Sequence, residues 1–336
     1  MFEAASPGVV LFPTWQSRSK SSWAVAAILS SHTLISTTTW PLRWKYASAE
    51  LMSNVAHMRP TRCSTCSPPS DATDYLNICG RLFPNPKYGW RCVDDSFFLM
   101  NELDIDYRYS NQDCAPFQAP VDGVRRVLDL QALSGSWGDQ VARCYDDADI
   151  CAINIAPKQA AEQPNCHFDF DDFNLTKWNR EPRVFDLTHG QKLLGNIRDR
   201  QSLLRNTFHC LAKGGFVELW DRPFIYKGND GAIGSWNWVA GQAKELGDRN
   251  GCSFVVTRDA YKADMKLVGF LDAFEHWELM PVKDCLDSVL NDIECMLLRK
   301  WHDEGMDHSD IQEQVEALRL RLLSEASHVS VHCVTV

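Results

Sequence analysis

Residues 125–138, with the sequence RRVLDLQALSGSWG, constrain the fold more than any other part of the chain. Residues 127–130 are a short apolar run that carries one acid, and turn-forming residues precede it at 119–123. Such a run is typical of a central strand in a parallel sheet. The loop and helix start that follow a central strand often face nucleotide-like ligands, because the loop amides and the helix dipole point there. We therefore predict a strand, a tight loop and a helix, with an ordinary βα turn as the alternative interpretation.

The loop in this run has few glycines. A nucleotide-binding loop needs them because its backbone turns tightly and approaches the ligand closely. Gly135 and Gly138 are present, but Gln131 and Leu133 stand where small residues are expected. A dinucleotide-binding oxidoreductase is consequently a weaker interpretation, since its own glycine fingerprint is absent as well.

Charge and hydropathy exclude two classes of partner. The net charge of -10 at pH 7 argues against a nucleic-acid binder, which would present a basic face. No apolar run approaches the ~20 residues needed to span a bilayer, and the best candidate covers only residues 23–29. The 13 cysteines are odd in number and scattered, which favours reduced thiols in an intracellular compartment over a disulfide framework. We expect a cytoplasmic protein, with the nucleus as the alternative.

Residues 1–75 differ in composition from the remainder. No acid lies between Glu3 and Glu50, and Ser and Thr are abundant. A mitochondrial transit peptide has this composition, but we favour a poorly ordered extension that ends in a Pro-rich linker at residues 60–69. Cys63 and Cys66 form a CxxC without the second close pair that a zinc site normally has, so no metal site is predicted. The folded domain is predicted to span residues 76–336.

Strands and helices are predicted to alternate through this domain. The predicted strands are residues 127–130, 148–155, 166–170, 183–188, 216–220, 270–279 and 328–336. Predicted helices cover residues 136–145, a segment capped by Asp199 and stopped at Gly214–Gly215, and residues 283–300 and 309–324. This alternation predicts an α/β fold with a mainly parallel sheet, helices on both faces and an antiparallel edge hairpin. Residues 94–96 can cap a further helix ahead of the first strand, which we interpret as a lid.

The order of motifs between about residues 125 and 221 resembles that of the class I S-adenosylmethionine (SAM)-dependent methyltransferases. It is most similar to the fungal LaeA-like group, which includes a regulator of secondary metabolism and many small-molecule tailoring enzymes. The resemblance is carried by VLDL at 127–130, Gly135 with Trp137, Asp171 with Asp172, Phe185 and Asp186 with His189, and LAKGGFVEL at 211–219. It implies a Rossmann-like, seven-stranded methyltransferase sheet with an N-terminal helical lid, SAM as cofactor and a small-molecule acceptor.

The resemblance also assigns roles to individual residues. The residues assigned to the cofactor are Asp129, Gln131, Gly135, Trp137, Asn154, Ile155, Asp172 and Phe173. The loop would wrap the methionine part of SAM, with Asp129 holding the loop or reaching the amino group through water. Asn154 stands where the family has an acid for the ribose hydroxyls, and Asp172 and Phe173 would contact adenine. His189, with Thr188 and Gly190 at the end of the fourth strand, would face the sulfonium and the acceptor, which makes it the candidate catalytic base; a structural histidine is the alternative.

Two interpretations of function follow. The first is a SAM-dependent methyltransferase that tailors a small-molecule secondary metabolite. The second is a methyltransferase-fold protein with a degenerate SAM loop, acting as a regulatory subunit with a protein partner or as a non-methylating enzyme. Gln131, Leu133 and Asn154 motivate the second. Trp236 and Trp238 could line an acceptor pocket or belong to the core. The acids at 169–172 are not predicted to bind metal, because adjacent residues of a strand face opposite ways.

Overall fold

The computed structural model describes residues 74–109, 117–121, 123–155, 163–228 and 233–336. The predicted extension lies outside the described residues except for Asp74 and Tyr75, and so do the linker and the CxxC. The strands within these ranges are β1 (Leu76–Ile78), β2 (Arg81–Phe83), β3 (Arg126–Leu130), β4 (Asp149–Asn154), β5 (Cys166–Phe170), β6 (Phe185–Gln191), β7 (Leu211–Asp221), β8 (Tyr226–Gly228), β9 (His276–Pro281) and β10 (Val329–Thr335). The α-helices are α1 (Asp95–Tyr109), α2 (Ser136–Cys144), α3 (Arg200–Cys210), α4 (Gly234–Asn250), α5 (Ala260–Val268), α6 (Leu286–Asp303) and α7 (His308–Glu325).

The main sheet has a parallel centre and an antiparallel edge. Its strand order is β5-β4-β3-β6-β7-β10-β8, and β9 pairs with β10. Strands β3 to β7 pair in parallel, whereas β10 is antiparallel to β7, β8 and β9. The predicted α/β class and edge hairpin are confirmed. The sheet has eight strands where seven were predicted, because β10 extends beyond its pairing with β7 and its first residues pair with the short strand β8.

Helices cover both faces of the sheet, as predicted. Val127 of β3 packs in one buried cluster with Trp137 and Val141 of α2. Leu128 and Leu130 of the same strand pack in another cluster, with Leu203 and Leu204 of α3 and Tyr261 of α5. Successive side chains of a strand point to opposite faces, so an apolar run such as β3 is buried on both sides only when helices lie above and below it.

Several predicted boundaries in the second half of the sheet are wrong, including the starts of β7 at Leu211 and of β9 at His276, which were predicted at 216 and 270. Strand β6 continues to Gln191, so Thr188, His189 and Gly190 lie within the strand and not at its end. Helix α3 begins after its cap at Asp199, as predicted, but it ends at Cys210 and is not stopped by the two glycines. Gly214 and Gly215 lie inside β7, where a Cβ on Gly215 would come 2.9 Å from the backbone oxygen of Phe185. Gly215 allows a close strand approach at an irregularity in the β6–β7 pairing, and Gly214 has a left-handed φ of 83°.

The segment before the sheet is built on local polar contacts. The predicted lid helix is present as α1, and Asp94 Oδ1 accepts a hydrogen bond from the Phe97 backbone nitrogen at 3.0 Å, which caps it. Arg81 of the β1–β2 hairpin, which was not predicted, donates to Asp94 and to Glu294 of α6. A disulfide joins Cys92 to Cys295 of α6, so the expectation of reduced thiols is wrong for this pair. The two cysteines are 203 residues apart in sequence, and only the tertiary fold brings them together.

Candidate functional site

The loop after β3 has backbone φ angles that favour glycine, although larger residues occupy two of these positions. Gln131 has a φ of 56° and Leu133 a φ of 54°, and Gly135 follows with a φ of 82°. A residue with a Cβ in the left-handed region costs about 1–2 kcal/mol relative to its usual conformation. The class I methyltransferases that the sequence resembles are expected to have glycine at the first two of these positions. The backbone therefore keeps the conformation that a glycine-rich loop adopts, and the difference lies in the side chains.

The Gln131 side chain fastens this loop to its surroundings. Its Nε2 donates to the backbone oxygen of Lys192 at 2.6 Å and to that of Gln191 at 3.3 Å. Its Oε1 accepts from Asn196 Nδ2 at 2.7 Å, and Asn196 Oδ1 in turn accepts from the Trp90 backbone nitrogen at 3.0 Å. A chain of hydrogen bonds thus links the loop to the end of β6 and to the segment before α1. These buried contacts offset the strain at residue 131, since each is worth about 1 kcal/mol net.

Asn154 contacts the same loop at Leu133, the second loop residue that stands in place of a glycine. Its Nδ2 donates to the backbone oxygen of Leu133 at 3.1 Å, and the residue is 3% exposed. A carboxylate at this position could not make that contact, because it has no hydrogen to donate. The Leu133 side chain is also buried, in a cluster that includes Phe97 of α1 and Trp220 of β7. Asn154 is therefore suited to holding the loop closed.

Asp172 and Phe173, assigned to adenine, and the cofactor residue Ile155 all have contacts within the protein. Ile155 and Phe173 are buried in one cluster with Tyr88, from the segment before α1. The Tyr88 ring lies edge-on to Phe170, with ring centroids 5.5 Å apart. At Gly89 a Cβ would come 2.6 Å from Ile155 Cδ1, so the backbone of this segment lies directly against Ile155. Asp172 is half-buried, and its Oδ1 accepts from the Asn174 backbone nitrogen at 2.9 Å in a local turn.

Asp129, His189 and Trp137 form a buried group on the neighbouring strands. Asp129 and His189 are register partners of β3 and β6, and His189 Nδ1 lies 3.0 Å from Asp129 Oδ1. The His189 ring stacks on Trp137 with centroids 3.7 Å apart, and all three side chains are inaccessible to solvent. The structure thus brings the predicted base together with two predicted cofactor residues, in the buried contact between α2 and the sheet.

Burial determines the protonation state of His189. Burial, followed by the nearby Arg108 cation, holds the pKa of His189 well below its usual value, so the ring is neutral at pH 7. A neutral imidazole beside a carboxylate donates from Nδ1, which leaves the lone pair on Nε2. Nε2 has no hydrogen-bond partner among the described residues. The ring is in the form that a general base needs, but its position gives it no contact with solvent.

A buried group of charges, here called the ionic cluster, lies at the carboxyl ends of β6 and β7. Its members are Arg91, Asp104, Lys192, Arg222, Ser288 and Asp292. Lys192 follows β6, Arg222 follows β7, and the acids come from α1 and α6. Asp104 pairs with Lys192 Nζ at 2.6 Å and with Arg222 Nη1 at 3.1 Å. Asp292 pairs with Arg222 at 2.6 Å and with Arg91 at 3.3 Å.

The cluster changes the pKa values of its members. Burial lowers the pKa of Lys192, and Asp104 and Asp292 oppose that change only in part. Burial alone would raise the pKa of Asp292, but the Lys192, Arg222 and Arg91 cations lower it below its usual range. Asp292 is thus ionised at neutral pH, and the cluster holds opposite charges out of water.

Sequence reasoning missed the ionic cluster. The local signals were Lys192 and Arg222, cations that directly follow the buried ends of β6 and β7. The other members are too far apart in sequence to form a motif. Of the tryptophan pair, Trp236 is fully buried and Trp238 is 43% exposed on α4, so they form no common pocket wall. Asp171 pairs with Arg180 at 2.7 Å, and no group of three or more metal-ligating side chains occurs in the described part of the chain.

Known proteins similar to this chain are fungal methyltransferases. Methyltransferase cpsF of Aspergillus campestris is 28% identical over 186 residues, covering 51% of this chain and 65% of its own length. Methyltransferase str2 of Strobilurus tenacellus is 30% identical and covers 33% of this chain and 41% of its own. The protein-methionine methyltransferase laeA of Emericella nidulans is 33% identical, covering 34% and 30%. The chain resembles the fungal LaeA-like methyltransferases. It spans less than two thirds of the length of each of these relatives.

Two further comparisons complete this result. No protein-family profile matches the chain. Among solved structures, phosphoethanolamine N-methyltransferase 2 of Haemonchus contortus aligns with 76% of this chain and 60% of its own, at 13% identity and a TM-score of 0.43. The Rossmann-like methyltransferase fold rests here on the strand order, not on that likeness. None of the helices in the described ranges is long and apolar enough to cross a membrane.

The LaeA-like resemblance implies SAM, and the loop tests whether the cofactor fits. The backbone path at Gln131, Leu133 and Gly135 fits a ligand-binding loop. The side chains do not fit in this arrangement, because Gln131 and Leu133 fill the space beside the loop that glycines leave open. Asn154 offers only a neutral carbonyl acceptor while its Nδ2 donates to the loop, and Tyr88 packs in the same buried cluster as Ile155 and Phe173. No catalytic step is therefore derived through the cofactor.

Proposed function

We propose that this chain is a SAM-dependent methyltransferase that modifies a small-molecule acceptor in secondary metabolism. The observation that carries the proposal is the strand–loop–helix run at residues 125–138, set in a sheet of order β5-β4-β3-β6-β7-β10 with the later family motifs on β6 and β7. Its relatives are named as methyltransferases, which supports the same activity. The Gln131 and Leu133 side chains occupy the space beside the loop. For the cofactor to enter, these two side chains and the segment that carries Tyr88 would have to move aside.

In this proposal the remaining assigned residues hold the site in shape. Asp129 keeps the His189 ring in one orientation and one tautomer, and Trp137 excludes water from its face. For His189 to act as a base, its Nε2 would have to reach the acceptor hydroxyl, which requires α2 and Trp137 to move. An acceptor that carries no such proton would need no base.

A second candidate function is favoured by the loop itself. Gln131 is tied to Lys192 and Asn196, and Asn154 is tied to Leu133, so the loop is closed by the protein's own contacts. A protein that keeps the methyltransferase fold without methylating would have this arrangement. It could serve as a regulatory subunit bound to a protein partner or as a non-methylating enzyme.

Calorimetry with S-adenosylhomocysteine separates the two candidates. The proposal expects the unaltered chain to bind the ligand, and the Q131G/L133G variant to bind it more tightly. The control Q118G/L271G removes the same two side chain types from exposed positions and should bind like the unaltered chain. If the unaltered chain releases no heat at millimolar ligand while Q131G/L133G binds, the second candidate holds and the first fails.

A further inference from the structure

The carboxylate of Asp104 is bound by donors from three other elements. Lys192 Nζ lies 2.6 Å from Oδ2, and Ser288 Oγ donates to the same oxygen at 2.5 Å. Arg222 Nη1 donates to Oδ1 at 3.1 Å. Both oxygens are thus engaged, and Asp104 is 8% exposed. The three donors form a complete set of partners for one carboxylate group, and Asp104 supplies that group from the lid helix α1.

These donors lie where α/β proteins bind their ligands. Lys192 and Arg222 directly follow β6 and β7, which are neighbouring parallel strands, and ligands of such sheets bind beyond the carboxyl ends of the strands. The backbone oxygen of Lys192 accepts the 2.6 Å hydrogen bond from Gln131 in the loop after β3. Lys192 thus contacts the candidate cofactor loop through its backbone and Asp104 through its side chain.

Without Asp104 the cluster would carry an excess of positive charge. Lys192, Arg222 and Arg91 would then share Asp292 as their carboxylate partner. Asp221 is close by, but it accepts from the Tyr261 hydroxyl at 2.6 Å and from the Leu194 backbone nitrogen at 3.0 Å. Buried cations without a partner are costly, so an incoming anion would be favoured. The three donors are already placed around a planar carboxylate, so an incoming carboxylate can take the position of the Asp104 group without moving them, which tetrahedral phosphate cannot.

Helix α1 is suited to leaving this site. Its outward side carries Leu99 and Leu103, which are 52% and 48% exposed, while Asp104 is buried beside Phe97 and Ile105. A surface helix normally buries its apolar stripe and exposes its charges. On α1 the inner side buries Asp104 in addition to Phe97 and Ile105, and both halves of its ion pairs can be hydrated when they separate.

We propose that Lys192, Arg222 and Ser288 bind the carboxylate of a small-molecule acceptor, and that Asp104 fills this site until the acceptor displaces it. That the ligand is a methyl acceptor rests on the proposed function, whereas the binding of a carboxylate does not depend on it. The proposal leaves open which atom receives a methyl group. An acceptor methylated on the carboxylate itself would be deprotonated at neutral pH and would need no general base, in keeping with the inaccessible position of His189.

Benzoate, with benzamide as its neutral analogue, tests the proposal by calorimetry on the full chain in the absence of any cofactor. We expect benzoate to bind the unaltered chain and to bind D104N at least tenfold more tightly, because the internal competitor has lost its charge. Benzamide should show no such gain. The gain should disappear in D104N/K192M. The matched control is E102Q, since Glu102 also fastens α1, through Ser136 Oγ at 2.8 Å, but does not touch the cluster.

Hydrogen exchange on the unaltered chain is a second measurement. If the ion pairs of Asp104 were only structural, benzoate would not change the exchange rates. Saturating benzoate should speed exchange of the backbone amides of α1, and benzamide should not. The proposal is overturned if D104N gains no affinity for benzoate, if E102Q gains as much, or if inorganic phosphate binds D104N better than benzoate. If D104N does not fold, unchanged exchange in α1 at saturating benzoate overturns it. Benzoate binding without S-adenosylhomocysteine binding would reject the proposed methyltransferase and keep the carboxylate site.

Discussion

The side chain of Gln131 donates a hydrogen bond to the backbone oxygen of Lys192, with 2.6 Å between the two atoms. Gln131 belongs to the loop that the methyltransferase resemblance assigns to the cofactor, and Lys192 belongs to the ionic cluster that holds the lid helix. One amide thus joins the candidate cofactor loop to the candidate acceptor side of the sheet. A movement of the loop or of the ionic cluster must either break this hydrogen bond or move both residues together.

The left-handed backbone at residue 131 predicts an unusual order of stability for two variants. Q131A and Q131G both lose the amide contacts, but only alanine keeps a Cβ at a φ of 56°. We expect Q131G to be more stable than Q131A by about 1 kcal/mol in urea unfolding. At the exposed Gln118, where φ is not left-handed, the order should be reversed, with Q118A the more stable. Equal stabilities of Q131A and Q131G would contradict the conformation described here.

Restoring the family's acid at residue 154 should weaken the protein. Asn154 Nδ2 donates to the Leu133 backbone oxygen, and the carboxylate of N154D would face that oxygen without a hydrogen. We expect N154D to lose about 1–3 kcal/mol of unfolding free energy and to be less stable than N154A. Chemical denaturation of the three proteins measures this. N154D as stable as the unaltered chain would show that the hydrogen bond does not hold the loop.

Buried His189 predicts a loss of stability in mild acid. Its pKa in the folded protein is lowered, by burial first and then by Arg108, from the usual 6.5. The unfolded chain therefore binds a proton that the folded chain does not. The stability that this group contributes is present above about pH 6.5 and is lost as the pH falls from that value toward the folded pKa. The slope for one such group is at most about 1.4 kcal/mol per pH unit.

The measurement is the unfolding free energy between pH 7.5 and 5. H189Q should show a shallower fall than the unaltered chain over this range. H209Q, which removes an exposed histidine, should leave the slope unchanged. Parallel curves for H189Q and the unaltered chain would mean that His189 is not buried in its neutral form.

The Cys92–Cys295 disulfide predicts that reducing agents destabilise the protein. The bond links two cysteines that are 203 residues apart in sequence and so closes a long loop. Chain-entropy estimates assign closures of this length a stabilisation on the order of 5 kcal/mol, and measured values are often smaller. We expect a reductant to lower the melting temperature of the unaltered chain, and to leave that of C92S/C295S unchanged. Equal reductant responses of the two proteins would show that the cysteines are not joined.

Local sequence signals were sufficient to predict most of the helices and strands. Asp94 and Asp199 cap the helices that follow them, as their position before apolar periodic runs predicted. Strand β5 matches its prediction at both ends, and β3 and α2 differ from theirs by one residue. The end of β6 was missed because a polar Gln191 after Gly190 carries no strand signal of its own. Pairing with β7 up to Trp220 extends the strand, and this displaced the predicted site residues into the sheet.

The sequence by itself determined the class of fold, the parallel centre with its late antiparallel hairpin, and the position of the loop at residues 131–135. Apolar periodicity and caps act over a few residues, so they can be read directly from the chain. Only the tertiary structure decided what fills that loop. The partners of Gln131 lie 60 to 65 residues away, those of Asp104 lie up to 184 away, and Cys92 finds Cys295 across 203 residues. Hydrogen bonds and ion pairs depend on distances of about 3 Å, and sequence separation carries no information about distances on that scale.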